Sequence, residues 1–239
     1  MSRNRAGLVA LLTGVLATLA SQPALAQSTA DSSTEKLIWG LTFEQLAVAI
    51  PITILVEAIL VYTVWRFRES NVEAAKPTVE NRRLEITWTV ATAIILLFVG
   101  IGSYGVMADT NAGSGVTADT PSDERVQVNA FQFNWEFHYP EYNVTSYDEL
   151  VIPADRSVKF NVSSRSVIHA FHVPELALKT DAMPGGSNYL LTTPLNTGTY
   201  QLYCAEYCGS GHSQMTKTVR VLPPEEFDTW IQSQQNASG

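Results

Sequence analysis

Two apolar stretches place the first limit on what this chain can fold into. Leu46 to Trp65 is twenty residues with one charge, Glu57, and Ile86 to Met107 is twenty-two residues with none. A helix needs roughly 20 apolar residues to cross the hydrocarbon core of a bilayer, and both stretches meet that length. Inside lipid, every backbone N–H and C=O must be bonded within its own segment, so each stretch is predicted to be a helix and the two together a transmembrane hairpin. Pro51 in the first and Gly100, Gly102 and Gly105 in the second are residue types that membrane helices tolerate. One such stretch fits the buried helix of a soluble protein equally well; two of this length do not. Trp65, Trp88 and Tyr104 stand near the span ends, where interfacial aromatics belong. Glu57 is a carboxylate at membrane depth and therefore a candidate functional group, although its surroundings in the sequence assign it no role.

The residues around the spans give an orientation. Arg66, Arg68, Lys76, Arg82 and Arg83 lie between them, and the positive-inside rule puts this loop in the cytoplasm and both flanking ends outside. The chain opens with Arg3 and Arg5, an apolar run from Leu8 to Leu19 and the small-residue site Ala24-Leu25-Ala26. Residues 1–26 thus read as a secretory signal peptide, with cleavage after Ala26, and residues 27–108 as the hairpin. From Asp109 onward there are fifteen Asp and Glu against seven Lys and Arg. An outer domain this acidic is not a nucleic-acid binder; it suits a cationic partner, or solubility in strong brine.

Residues 109–122 are rich in Gly, Ser, Thr, Ala and Asp and read as a linker. Beyond it, residues 123–239 carry short β-branched and aromatic runs: 125–139, 150–152, 157–162, 167–173, 189–193, 199–203 and 216–221. Short strands at this density predict an antiparallel sandwich or Greek-key barrel. Pro223-Pro224-Glu225-Glu226 suits a helix start, and the helix is expected to end near Gln232.

The chemistry is concentrated between Cys204 and Met215. The only two cysteines of the chain lie there, in the pattern C-x3-C-x3-H-x2-M formed by Cys204, Cys208, His212 and Met215. Two cysteines in an exported domain ordinarily suggest a disulfide. His212 and Met215 at ligand spacing favour a metal instead, and a set of thiolate, imidazole and thioether selects copper over the hard cations. Cys208, His212 and Met215 supply most of a mononuclear blue-copper site. Cys204 is then a second thiolate, and two bridging sulfurs allow two copper ions to share one electron. Such a site needs a further imidazole, from His138, His169 or His172. The last two are three apart in a predicted strand, so they face opposite sides and only one of them can point at the metal.

At this point the chain resembles subunit II of the haem-copper oxidases, the cytochrome c oxidase family. The resemblance covers both membrane helices and an exported cupredoxin-like domain. It rests most specifically on Cys204 to Met215, which is similar to the family's dinuclear copper (CuA) loop at every ligand position. It implies a ligand set of His169, Cys204, Cys208, His212, Met215 and the backbone carbonyl of Glu206. It further implies that the Glu206 side chain shares a magnesium or manganese ion with subunit I. Leu178 to Gly185 looks like the family's L-K-T-D-A-x-P-G segment, whose Lys179 and Asp181 would abut subunit I. Glu85-Ile86-Thr87-Trp88 matches the family's E-x-x-W, whose Glu stands at the mouth of a proton channel; a helix-flanking charge is the plainer reading of Glu85. The implied function is that of the copper-bearing subunit of a terminal oxidase in a prokaryotic plasma membrane. It would take electrons from a small carrier and pass them to haem in subunit I, which holds CuB and reduces oxygen while protons are pumped. Subunit III is an implied neighbour.

Two positions depart from the family pattern. Gln132-Phe133-Asn134-Trp135 stands where the family has Q-W-x-W, so Phe133 replaces the indole through which electrons enter. Trp135 is retained, as part of that route or as a core aromatic beneath the loop. Arg165 and Ser166 stand where many members carry acidic residues before the first histidine ligand. Both departures imply that the donor is a small blue-copper protein, or a cytochrome c that docks differently. Among rivals, a membrane-anchored one-copper carrier leaves Cys204 and the E-x-x-W helix without a role. A thioredoxin-like copper-delivery protein needs a βαβ pattern that the chain lacks. A quinol oxidase that had lost the copper would not keep the full ligand set, and the propeller of a nitrous oxide reductase has no room.

Overall fold

The computed structural model describes residues 30–68, 79–109 and 115–237. The signal peptide, Lys76 and part of the linker lie outside the described residues. Helix α1 spans Ser33–Arg66 and α2 spans Arg82–Met107, each long and apolar enough to cross a membrane. Residues 40–105 form one compact unit, and residues 30–39 belong with the chain after 106 in the other.

Within the helical unit, threonine hydroxyls bond back along their own helix. Thr53 Oγ1 donates to Ala49 O at 2.9 Å, Thr63 Oγ1 to Ile59 O at 2.7 Å and Thr87 Oγ1 to Arg83 O at 2.8 Å. No hydroxyl of these three is left bare in an apolar medium, where an unmade bond is costly. Asn81 caps α2 by accepting the Leu84 N–H at 3.1 Å on its side-chain oxygen.

Helix α1 starts thirteen residues ahead of the apolar stretch that predicted it. The cause is a capping box in Ser32-Ser33-Thr34-Glu35: Ser32 Oγ accepts the Glu35 N–H at 3.0 Å, and the Glu35 carboxylate accepts the Asp31 N–H at 2.7 Å. The same short segment is stitched to the β domain. Ser33 N donates to Thr193 O at 2.9 Å, Leu195 N to Asp31 O at 2.8 Å, Ser32 Oγ to Leu176 O at 2.7 Å and Thr34 Oγ1 to Thr192 Oγ1 at 2.9 Å. The hairpin boundary expected at residue 27 therefore moves inward, because residues 30–39 belong to the β unit.

That unit is a sandwich of two five-stranded sheets. The strands are β1 Glu124–Phe131, β2 Asn134–Tyr139, β3 Val144–Ser146, β4 Glu149–Pro153, β5 Val158–Ser164, β6 His169–Val173, β7 Leu178–Ala182, β8 Asn188–Thr192, β9 Gly198–Cys204 and β10 Thr216–Leu222. One sheet runs β3-β2-β1-β5-β8 and the other β4-β10-β9-β6-β7. Most pairings are antiparallel, as expected, but β1 pairs with β5, and β4 with β10, in parallel. The run 125–139 is two strands broken at Gln132-Phe133, and β3 and β7 carry too little apolar signal to be read from the sequence.

Between the sheets lie Trp135, Phe137, Phe160, Phe171, Leu202 and Val219, all fully buried. The Tyr139 hydroxyl joins the two layers. It donates to Val151 O at 2.8 Å and accepts Val151 N–H at 2.9 Å, so one buried phenol satisfies both backbone groups of a β4 residue. Burial pushes its pKa well above the usual tyrosine value, which keeps it protonated. Helix α3, Pro224–Ala237, runs past its expected end and closes one side through buried Phe227 and Ile231. It is pinned by a two-pronged ion pair from Arg156 to Asp228, at 2.8 and 3.0 Å.

Candidate metal centre

Strand β6 alternates as predicted. His169, Phe171 and Val173 face the core, with His169 fully buried, while His172 turns away. His172 Nδ1 lies 2.9 Å from Leu178 O, and its ring meets Tyr203 edge-on at 4.9 Å. Phe171 is paired with Cys204 on β9, which brings His169 diagonally beside that thiol. The remaining candidate ligands sit on the loop from Cys204, the end of β9, to Met215, just before β10. Cys204 N bonds to Met215 O at 3.0 Å and closes the loop at its base.

The structure brings the donor atoms together. One ligand atom each from His169, Cys204 and Cys208 lie within 4.8 Å of one another. Cys204 Sγ is 4.0 Å from Cys208 Sγ and 3.8 Å from His169 Nδ1. Cys208 Sγ is 3.7 Å from His212 Nδ1 and 3.8 Å from Met215 Sδ. The Glu206 carbonyl is 3.1 Å from Cys204 Sγ, while its side chain is exposed. The sulfurs are free thiols, too far apart for the about 2.05 Å of a disulfide. Soft and borderline donors converging at this range fit copper ions.

The electrostatics of the bare site oppose charge. Burial, then the neighbouring Cys204, push the Cys208 thiol up to about 11. Burial and then His212 push His169 down, toward the neutral imidazole that can ligate. A bound cation reverses the balance at the thiols, since metal binding and thiol deprotonation are coupled. Ser166 Oγ is 3.3 Å from His169 Nε2, leaving Nδ1 for the metal side.

Trp135 lies beneath this cluster, fully buried. Its Nε1 donates to Met215 O at 3.4 Å, and its ring centroid is 6.2 Å from that of His169. Phe133 is exposed and lies across the loop. A Cβ on Gly211 would fall 2.5 Å from its Cγ and Cδ2, and one on Gly209, where φ is +129°, would fall 3.2 Å from it. Gln132 Nε2 donates to Cys208 O at 2.8 Å. The β1–β2 turn therefore clamps the ligand loop from above, a role the sequence reading missed. The two glycines flanking Ser210 were its only signal. Tyr207, 76% exposed, stands 5.8 Å from the His212 ring and was also missed.

Gly211→Ala is expected to push the loop off Phe133. Overpacking of this kind costs about 1–3 kcal/mol, or roughly 5- to 150-fold in copper affinity if it falls on the ligands. Competition titration with a copper chelator measures it, and adding Phe133→Ala should restore most of the loss.

The positive charge of Arg165 is not free. It forms an ion pair with Glu136, which also accepts hydrogen bonds from Tyr147 at 2.8 Å and Asn129 at 3.0 Å. Burial works against ionising Glu136, but these bonds outweigh it and hold the carboxyl below its usual range. A depressed folded value means that the stabilisation is present above the unfolded carboxylate pKa and is lost as pH falls through the folded one. Thermal midpoints should drop in acid more steeply for the wild type than for Glu136→Gln.

Lys179 and Asp181 are exposed on β7, the edge strand, outside the cluster. Glu85 is in the first turn of α2, in the helical unit.

Two family models match the chain. Residues 20–106 match the transmembrane domain of cytochrome c oxidase subunit II, and residues 144–222 its periplasmic domain. Cytochrome c oxidase subunit 2 of Synechocystis sp. is 30% identical over 93% of this chain and 81% of its own. The chain belongs to the cytochrome c oxidase subunit II family. The Thermostichus vulcanus subunit is also 30% identical, over 80% of this chain and 72% of that one. Among solved structures, the periplasmic domain of subunit II from Bradyrhizobium japonicum is similar at 25% identity with a TM-score of 0.48, covering 49% of this chain and 97% of that one. The chain is thus a membrane-anchored subunit of a haem-copper terminal oxidase, with a His/Cys cluster consistent with copper binding.

Proposed function

We propose that this subunit holds a dinuclear copper centre through His169, Cys204, Cys208, His212, Met215 and the Glu206 carbonyl, and carries single electrons from a small donor to haem in subunit I. When bound, a copper pair supplies reversible one-electron transfer with little change of geometry. The observation that carries the reading is the 4.0 Å approach of the two thiols, each with its own imidazole nitrogen within 3.8 Å. The chain's residues would hold and shield it: Ser166 orients His169, Trp135 excludes water from below, and the Gln132–Phe133 turn covers the loop. The exposed Glu206 carboxylate is available to a magnesium or manganese ion. Lys179 and Asp181 face subunit I, Glu85 gathers protons for its channel, and the β unit lies on the outer side of the membrane.

Electron paramagnetic resonance of the full-length chain in detergent, loaded with copper, tests the centre. An unpaired electron split equally by two copper nuclei is expected; splitting by one nucleus sinks the dinuclear reading. The donor is a blue-copper protein or a cytochrome that docks differently. Phe133 carries that argument, since the Arg165 charge is met by Glu136. Reduction by mitochondrial-type cytochrome c should be slow in stopped flow and faster in Phe133→Trp. Fast reduction of the wild type would restore the family's usual donor.

A further inference from the structure

A cleft of about 340 Å³ opens on the outer face of the β3-β2-β1-β5-β8 sheet, covered on one side by the segment around Ala118. Its floor is a polar row crossing three strands: Gln127 on β1 is paired with Asn161 on β5, and Asn161 with Tyr189 on β8. One pleat along, Arg125 is paired with Lys159. Outward positions of a sandwich normally leave a lysine in water, yet Lys159 is 6% exposed. Two of its three N–H groups go to Ala118 O and Thr120 O, both at 2.6 Å, and none of the ion pairs among the described residues includes it. A buried ammonium with no counter-charge is costly unless an anion completes it. Beside it, the Asn161 Oδ1 atom is buried and has no hydrogen-bond partner, so an acceptor waits for a donor. Arg125 pairs with Glu141 at the rim, which leaves Lys159 as the uncompensated charge.

We infer that this cleft binds a small hydroxylated carboxylate, the carboxylate on the Lys159 ammonium and a hydroxyl donating to Asn161 Oδ1. Both requirements follow from the unpaired groups: the third ammonium N–H seeks an anion, and the amide oxygen seeks an O–H. The Gln127 amide and Tyr189 hydroxyl add polar groups to the same floor. The volume suits a ligand of this size. The site is on the outer face of the sheet opposite the buried core and depends neither on copper nor on the proposed electron path.

The test is calorimetric titration of the full-length chain in detergent, with and without copper, at constant ionic strength. The probes are citrate, tricarballylate, which lacks the hydroxyl, and inorganic phosphate. Saturable citrate binding is expected near or below roughly 1 mM, with Asn161→Leu and Lys159→Gln each weakening it by about 10-fold. Tricarballylate and phosphate should bind more weakly than citrate. If Lys159→Gln fails to fold, Asn161→Leu decides, because it removes no contact that the wild-type side chain oxygen makes. No saturable binding of citrate up to about 10 mM, equal binding of citrate and phosphate, or unchanged binding in Asn161→Leu would overturn the inference.

Discussion

Cys204→Ser is expected to turn a two-copper protein into a one-copper protein. In the wild type, each thiol has an imidazole nitrogen of its own, His169 for Cys204 and His212 for Cys208. Met215 Sδ lies 3.8 Å from Cys208 Sγ. Removing the Cys204 sulfur would take away one of the two proposed thiolate ligands but leave Cys208, His212 and Met215, with His169 nearby, which is a blue-copper donor set. Metal analysis should fall from two coppers per chain to one, and the resonance should collapse to splitting by a single nucleus. Cys208→Ser is the harsher change, because it strands both His212 and Met215. The pair of variants therefore tests more than copper content: equal damage from both would mean that the loop does not divide its donors as the distances indicate.

His169→Ala and His172→Ala should differ by orders of magnitude, although the residues are three apart. His169 is fully buried with Nδ1 facing a thiol, and its loss would remove a proposed ligand and leave a cavity against Trp135. His172 faces the other way, toward the Leu178 carbonyl and Tyr203. Its loss forfeits one hydrogen bond and a ring contact, about 1–2 kcal/mol of stability and no ligand. Copper affinity measured by chelator competition should fall at least about 100-fold in the first variant and little in the second. Comparable losses would show that β6 presents both imidazoles to the metal.

Much of this molecule is legible in the sequence because its strongest signals are short-range. Lipid demands long apolar runs, so the two membrane helices stand out. A metal demands ligands in one place, and four of the five proposed ligand side chains lie within twelve residues. The fifth, His169, follows from strand alternation and the family pattern together. What the sequence hid depends on contacts between distant residues. The parallel pairings of β1 with β5 and of β4 with β10 leave no mark that an antiparallel pair would lack. The Gln132–Phe133 clamp joins a turn to a loop 76 residues away. Arg165 read as an exposed charge near the ligand strand, whereas Glu136, 29 residues upstream, already neutralises it. The capping box at Ser32 was readable, but the longer apolar run downstream drew the helix start to Leu46.

The attachment of residues 30–39 to the β unit makes the membrane hairpin an insertion within a single folded body, rather than a stalk preceding it. A chain made from its N-terminus emits the first piece of that body, then the hairpin, and only later the strands the piece must meet. The gap between Ser33 and Thr193 is a loop of 160 residues, and closing it costs only slowly growing entropy. Assembly of this body is thereby tied to insertion of both helices rather than one. A hairpin caught with only one helix across would strand the Ser32–Thr34 hydroxyls on the opposite side from Thr192 and Leu176. The fold thus carries its own check on topogenesis. A soluble fragment cut at residue 109 escapes that check, and supplying residues 30–39 as a separate peptide is the direct way to return what it lost.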